Sequence, residues 1–361
     1  MQLDELDRIP WDQLRHAYGK GKRRTELAYD VEGTLRKIGD GAFGAIDEAV
    51  EAFKRARTHI EHEYGPKHPL AVTVVGNLAT ALSERGDLEE SLALLEETLR
   101  IREASLDPKH PDVGAAHLNL TAAYDQLGRP RDAEPHALRA LAVFRAAYGE
   151  ESPELIGPLY NLASIEAQLG RPEAALEHRT QALALAREHL GDDSPRTLRY
   201  RHGRAQILAQ LDRTDEAVAE LRAVLADREA ALGPEHPDVG ETAAELADVL
   251  VMQASATDGA APSAAAAEPA AKGMDPAAEA VGLAERAVRI AALAQVPPAK
   301  RGAARMALAR ALWLPSERRD AARARQMAEL ARKDYEASHR AAVAVPVVDA
   351  WLAAHPSAPA G

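Results

Sequence analysis

The sequence predicts an all-α protein, a solenoid in which antiparallel helix pairs stack one after another along the chain. Aromatic residues make up only 4% of the chain, and much of its 46% hydrophobic share is alanine. This composition favours closely packed helices over a β-sandwich. His-Pro or Ser-Pro dipeptides recur at a constant step of 42 residues, and the apolar residues between them follow a helical period. A fixed repeat of this kind indicates stacked helical units.

Five columns of residues keep the 42-residue step in register. They are His68-Pro69, His110-Pro111, Ser152-Pro153, Ser194-Pro195 and His236-Pro237; Gly86, Gly128, Gly170 and Asp212; Asn77, Asn119, Asn161, Gly203 and Glu245; Ser91, Ala133, Ala175 and Ala217; and Leu99, Leu141, Leu183 and Leu225. Agreement among five independent columns over several copies excludes a chance match.

Each repeat has a direct physical interpretation. Proline suits the first turn of a helix, where its missing N–H costs nothing, so a first helix is predicted over about 69–84. Gly86 then ends that helix with a positive φ, and a second helix is predicted over about 88–104. The small residues Ala79 and Ser91 fall where the two helices cross. Since neither helix buries its apolar face alone, the pairs must stack.

The same patterns divide the chain into five segments. We expect an N-terminal cap helix and basic hinge over residues 1–25, a repeat array over 26–251, and an Ala/Pro-rich insertion loop over 252–275. Further repeats are expected over 276–338, and a capping helix followed by a disordered tail over 339–361.

Charge and composition restrict the function. The net charge of −12 at pH 7 argues against general nucleic-acid binding, which needs a basic surface. The absence of cysteine excludes disulfides and thiolate metal sites. Neither a signal peptide nor a membrane-spanning segment is expected, so the predicted location is cytoplasmic. Arginine outnumbers lysine by about four to one, a bias typical of a GC-rich bacterial genome.

Several segments resemble tetratricopeptide repeats. Asn161-Leu162-Ala163, the run from Gly170 to Ala175, and Leu190-Gly191 carry this resemblance, which covers roughly residues 45–338. The 42-residue period and the His-Pro opening are similar to the kinesin light chain type and not to the ordinary, shorter type. The resemblance implies a right-handed superhelix of about six helix pairs, whose first helices line a concave surface.

The C-terminal part carries a second resemblance. The segments from Ala307 to Trp313 and from Asp349 to Ala354 look like the repeat tails fused to myxobacterial serine/threonine kinases. The sequence itself holds no kinase domain. This resemblance implies a role linked to a kinase-like partner.

No catalytic motif is present, so no enzyme activity, cofactor or metal is expected. The sequence lacks a P-loop, a GxGxxG after a strand, a GxSxG and an HExxH. His59 and His62 share one helix face, which we interpret as a solvated surface. The histidines of the His-Pro dipeptides recur with the repeat and are interpreted as connector residues. The basic run from Lys20 to Arg24 is interpreted as a solvated hinge.

The asparagine column is the candidate binding site. Asn77, Asn119 and Asn161 each precede an inward-facing leucine on a first helix. An amide both donates and accepts hydrogen bonds and carries no charge to desolvate. In the families that the chain resembles, an asparagine at this position hydrogen-bonds the backbone of an extended peptide. The alternative is that these amides bond a neighbouring helix and stiffen the stack.

Further candidate residues surround that column. Tyr160 lies beside Asn161, and one repeat later Arg199 and His202 are expected to face the groove, with Arg196 near its mouth. Such cations favour a ligand with an acidic residue or a C-terminal carboxylate at one end.

The sequence therefore predicts a non-enzymatic scaffold or adaptor that binds a protein or peptide segment in the concave groove, with no nucleic-acid or membrane partner. Two alternatives stay open. One is an immunity or inhibitor protein that occludes a bacterial toxin or effector with its acidic surface. The other is a detached regulatory subunit of a kinase-like system. The sequence determines neither the partner nor the oligomeric state.

Overall fold

The structure is a computed structural model that describes residues 43–258, 275–293, 296–316, 319–338 and 341–356. Within these ranges the backbone forms fourteen α-helices, one 3₁₀ turn (Pro153–Leu155) and no strand, which confirms the predicted all-α class. The helices are α1 (Phe43–Tyr64), α2 (Pro69–Arg85), α3 (Leu88–Ser105), α4 (Pro111–Gln126), α5 (Pro130–Tyr148), α6 (Ile156–Gln168), α7 (Pro172–Leu190), α8 (Pro195–Gln210), α9 (Thr214–Leu232), α10 (Pro237–Asp258), α11 (Pro276–Leu293), α12 (Pro298–Trp313), α13 (Ala321–Glu336) and α14 (Ala341–Ala354).

The chain divides into two compact units, residues 1–165 and residues 166–361. In the first unit, each helix from α1 to α4 packs against the next helix along the chain. In the second unit, consecutive helices from α7 to α14 do the same, and α10 also packs against α12. Packing between sequence neighbours is what stacked helix pairs require.

Four of the five column residues that precede proline cap the helical turn that follows them. His68, His110 and His236 each accept a hydrogen bond through Nδ1 from the backbone N–H two residues later, at 3.3, 3.1 and 3.1 Å. Ser152 makes the same contact through Oγ at 3.3 Å, whereas Ser194 makes no side-chain cap. Because the first N–H groups of a helix have no partner within it, such a cap stabilises the helix start.

The column that ends the first helices has positive φ in all four repeats. The angle is 100° at Gly86, 67° at Gly128, 75° at Gly170 and 57° at Asp212. In each case the following backbone N–H bonds the carbonyl oxygen five residues before it, at 2.9–3.0 Å, which is the Schellman closure of a helix. Within the described ranges, Asp212 is the one non-glycine residue with positive φ.

The small-residue column lies where the two helices of a pair cross. Ser91, Ala133, Ala175 and Ala217 are each at most 1% exposed. Ser91 Oγ donates a hydrogen bond to the carbonyl oxygen of Ala79, 2.6 Å away. Since protein interiors are close-packed, a larger side chain at this crossing would force the helices apart.

Some predicted segments fall outside the described ranges, and one boundary differs. Residues 1–42, with the predicted cap helix and hinge, and residues 259–274, with most of the predicted insertion, are among those not described. Helix α10 continues to Asp258 and does not end near Val251. Residues 252–254 (Met-Gln-Ala) are good helix formers, so nothing in the local sequence stops the helix at Val251.

The last described helix lies in the segment for which a capping helix is predicted, residues 339–361. Helix α14 starts at Ala341 and includes Pro346. The Trp351 ring meets Trp313 edge-on, with 5.7 Å between ring centroids. It also stacks on His355 at 4.2 Å. Trp313 and Trp351 are partly buried against the core of the second unit.

Two histidines are buried in the helix packing, one in each unit. His117 is 6% exposed and His202 is 5% exposed. Burial lowers the pKa of both side chains to about 4; His136 adds to the effect on His117, and Arg228 to that on His202. Both imidazoles are therefore neutral at pH 7.

We expect Asp212→Gly and Gly170→Ala to change stability in opposite directions. A non-glycine residue pays about 1–2 kcal/mol for the left-handed conformation, less the smaller entropy loss of its unfolded chain. Asp212→Gly should therefore raise the free energy of unfolding by about 0.5–1 kcal/mol, and Gly170→Ala should lower it by about 1 kcal/mol. A Cβ at Gly170 meets no atom within 4 Å, so no clash complicates the comparison. Urea unfolding measures both; a loss of stability in Asp212→Gly would contradict the prediction.

The buried histidines should make stability depend on pH below neutrality. An unfolded histidine binds its proton near pH 6.5, but His202 in the fold does so only near pH 4. Between these values the unfolded chain binds more protons than the folded chain. The contribution of His202 to the free energy of unfolding is therefore complete above about pH 6.5 and decreases as the pH falls towards 4.

Urea titrations at pH 7.5 and pH 5 test this dependence. His202→Gln should show a smaller loss of stability between the two pH values than the wild type. The matched control is His62→Gln, because the His62 side chain is 83% exposed. An equal loss in all three proteins would show that His202 is not held neutral by burial.

Candidate functional site

The asparagine column lies at the edge of the solvent in the first unit. Asn77, Asn119 and Asn161 belong to α2, α4 and α6, and each precedes a leucine that is at most 2% exposed. Asn119 is exposed, while Asn77 and Asn161 are half-buried. The leucine fixes the rotation of each helix, and the amide next to it is left within reach of a ligand.

These three residues are the only asparagines among the 361 residues of the chain. Asparagine is common in turns and at helix starts, where its side chain bonds the backbone. Here it is absent from all such places and present only inside helices, where it is a mediocre former. Its retention at one register of three repeats therefore points to a task specific to that position.

The three amides make no hydrogen bond to any other residue in the part of the chain that the structure describes. The alternative from the sequence, in which they bond a neighbouring helix, predicts such bonds. In the described residues, the donors and acceptors of these side chains are all free to bind a ligand.

The amides are part of an uncharged surface, which we call the amide face. It consists of the residues at four equivalent positions on α2, α4 and α6, spaced i, i+3, i+4 and i+7 so that they share one helix face. These are Thr73, Gly76, Asn77 and Thr80; Ala115, Leu118, Asn119 and Ala122; and Gly157, Tyr160, Asn161 and Ser164. None of them is charged and none is buried, although the chain as a whole carries a charge of −12.

The amide face continues from one helix to the next. A Cβ added at Gly157 would lie 3.9 Å from Leu118 Cδ2, so α4 and α6 adjoin there. Ser83 Oγ donates a hydrogen bond to Gln126 Oε1 at 2.5 Å, which joins α2 to α4. Small residues at Gly76 and Gly157 leave room for a ligand backbone beside the amides.

The two predicted cations of the second unit have different environments. Arg199 on α8 is exposed, and its guanidinium carbon lies 5.6 Å from the Tyr200 ring centroid. His202 is buried, and neither of its ring nitrogens has a hydrogen-bond partner in the described residues. Because burial lowers its pKa to about 4, His202 presents no positive charge to a ligand at neutral pH, contrary to the expectation from the sequence.

The neighbouring arginines of α8 are engaged with α9. Arg201 forms an ion pair with Asp227 at 2.6 Å, and Arg204 forms one with Glu220 at 2.8 Å. Their charges are thus neutralised within the second unit, which leaves Arg199 as the predicted site residue with an exposed cation.

The second unit also contains a cavity with a volume of about 450 Å³, which the sequence analysis missed. Glu241, Glu245 and Asp248 of α10 line it, together with Gln206 of α8 and Lys300 of α12. Glu245 falls at the register of the asparagine column, two repeats after Asn161. That register was the available signal, but the groups that complete the cavity come from helices distant in sequence.

No group of three or more histidine and carboxylate side chains in the described ranges is arranged to hold a metal ion. Among the described helices, none combines the length and the apolar character needed to cross a membrane.

The chain resembles known proteins over different lengths. Kinesin light chain-related protein 3 of Arabidopsis thaliana is 40% identical over 62 residues, which is 17% of this chain and 10% of that protein. The chain thus matches about a tenth of that relative's length. Among solved structures, BtubC (BKLC) of P. vanneervenii has a TM-score of 0.52 and 23% identity, covering 69% of this chain and 90% of that one. A Rap protein complexed with competence and sporulation factor has a TM-score of 0.59 and 12% identity, and the match covers 96% of this chain and 97% of that one.

These structural neighbours share the helical repeat fold, in agreement with the predicted solenoid class. The family model described as tetratricopeptide repeat matches residues 42–104, 73–146 and 154–230, which together make up about half of the chain. The chain belongs to the tetratricopeptide repeat family.

Proposed function

We propose that this protein is a non-enzymatic adaptor that holds an extended segment of a partner protein on the amide face, inside the concave groove of the repeats. Tetratricopeptide repeat proteins are generally protein-interaction scaffolds. The finer proposal concerns which surface of this chain binds and what chemistry it recognises.

One observation carries the proposal: the chain's only asparagines share one register, are not buried, and have no hydrogen-bond partner among the described residues. A buried interface with a ligand would give each amide a partner. An extended backbone is the ligand that matches, because each of its peptide groups offers both a donor and an acceptor.

The lack of charge on the amide face supports a backbone ligand. Binding desolvates any charge on the protein surface, and that penalty is large unless the charge is paired. An uncharged face accepts many different side chains of a bound peptide and forms its hydrogen bonds with the peptide backbone. Leu118 and Tyr160 add apolar contact area. Arg199 remains the proposed contact for an acidic residue of a partner, without help from His202.

The test is the triple variant Asn77→Ala, Asn119→Ala and Asn161→Ala. A partner is first captured from the native host by affinity purification and identified by mass spectrometry. Its affinity for the wild type and the variant is then compared by calorimetry. We expect a loss of about 1–3 kcal/mol for each buried hydrogen-bonding group, and so of several kcal/mol in total.

Stability separates a binding role from a structural one. Because the amides make no internal hydrogen bond in the described residues and alanine is the better helix former, the variant should keep or raise its Tm. The control is Gln181→Ala, which removes an amide from α7. Because α7 is the second helix of its repeat and is not part of the amide face, this change should leave the affinity for the partner unchanged. A lower Tm with unchanged affinity would assign the asparagines to the fold.

The net charge of −12 favours one competing function, inhibition of a basic toxin or effector through the acidic exterior. Such association would be fast and steeply salt-dependent. Binding on the uncharged amide face should instead weaken only modestly between about 50 and 300 mM salt. A steep salt slope together with full affinity in the triple asparagine variant would support the inhibitor. The C-terminal resemblance to kinase tails stays a prediction.

A further inference from the structure

The cavity of the second unit has an unusual balance of groups. Most of its wall is apolar, formed by alanine, proline and Ile290, as is typical of ligand-binding cavities of this volume. Its polar lining is acidic. Glu241, Glu245 and Asp248 are spaced i, i+4 and i+7, so all three lie on one face of α10.

Two cations neutralise only part of this acidic wall. Lys300 Nζ lies 2.9 Å from Glu241 Oε2. An Arg310 guanidinium nitrogen lies 2.8 Å from Asp248 Oδ2. Among the described residues, Glu245 is bonded only by the uncharged amide of Gln206, whose Nε2 donates to its Oε2 at 3.1 Å.

One acceptor of this wall has no partner among the described residues. Asp248 Oδ1 has no contact with solvent and no hydrogen-bond partner in the described residues. An acceptor left in this state costs free energy, which a ligand donor recovers once the Asp248 side chain turns to meet it. Desolvation raises the pKa of Glu245 to about 7, and the nearby carboxylates of Asp248 and Glu241 add to the shift. A cation beside Glu245 would reverse that shift and keep the carboxylate ionised.

We propose that this cavity binds the guanidinium group of an arginine side chain that belongs to a partner protein. Arginine fits better than lysine because its planar fork of donors can reach two carboxylates at once, here Glu245 and Asp248. Tyr335 also lines the cavity. The inference rests on the proposed function only in taking the arginine from a polypeptide; the cavity itself lies wholly in the second unit.

A pair of matched peptides tests the charge requirement directly. The probe is a capped pentapeptide with one central arginine between alanines, and the control replaces arginine with citrulline, which has nearly the same shape but no charge. Their affinities for the full chain are measured by NMR titration. We expect the arginine peptide to bind at least ten-fold more tightly than the citrulline peptide, and more tightly than a lysine peptide.

Three variants locate the binding site. Asp248→Asn should reduce the preference for arginine at least five-fold. Because Asp248 also holds Arg310, Glu245→Gln is the second variant, which leaves that ion pair intact and should reduce the preference as well. Glu235→Gln is the matched control, since it removes the same charge at an exposed position outside the cavity lining. Circular dichroism confirms that each variant is folded.

Equal binding of the arginine and citrulline peptides would overturn the proposal. An equal effect of Glu235→Gln and Asp248→Asn would also overturn it, because the attraction would then come from overall charge. Equally tight binding of the lysine peptide would refute the guanidinium-specific geometry. These outcomes leave the amide face untouched, since the asparagine variants test that surface separately.

Discussion

The close approach of the two helices in each repeat is the constraint on which the rest of the structure depends. It requires a small residue at the crossing, and Ser91, Ala133, Ala175 and Ala217 are almost completely buried there. With the helices this close, each pair presents two apolar stripes that only neighbouring pairs can cover. The small residues stay in register only if each helix has a fixed length. The first helices therefore begin at a proline and end at a residue with positive φ at the same places in each repeat.

The same register determines which residues remain outside the packing. On α2, α4 and α6, the positions that do not contact the core recur every 42 residues. Residues at equivalent positions of these helices therefore form a row. In the first unit that row contains every asparagine of the chain and no charge. At Glu245 in the second unit the same register contributes to an acidic cavity. A single repeat geometry thus gives an uncharged row in the first unit and part of an acidic cavity in the second.

Much of this architecture could be predicted from the sequence, because it is encoded locally. Pro69, Gly86 and Ser91 identify a helix start, a helix end and a crossing without knowledge of any distant residue. Predictions failed where burial depends on residues far along the chain. His202 lies at a register that is open on α2, α4 and α6, yet it is buried near Arg228 of α9 and is neutral. The cavity was missed for the same reason, since Tyr335 and Lys300 join Glu245 in its lining only after folding.

The central claim is that a partner contacts the amide face, and site-specific photo-crosslinking in the native host tests it most directly. A benzophenone amino acid is placed at Thr73 or Ala122, which lie on that face, or at Leu138, which is 49% exposed on the second helix α5. We expect the probes at Thr73 and Ala122 to crosslink to the same partner protein, and the probe at Leu138 to form no crosslinked product. A product from Leu138 and none from the other two positions would contradict the claim.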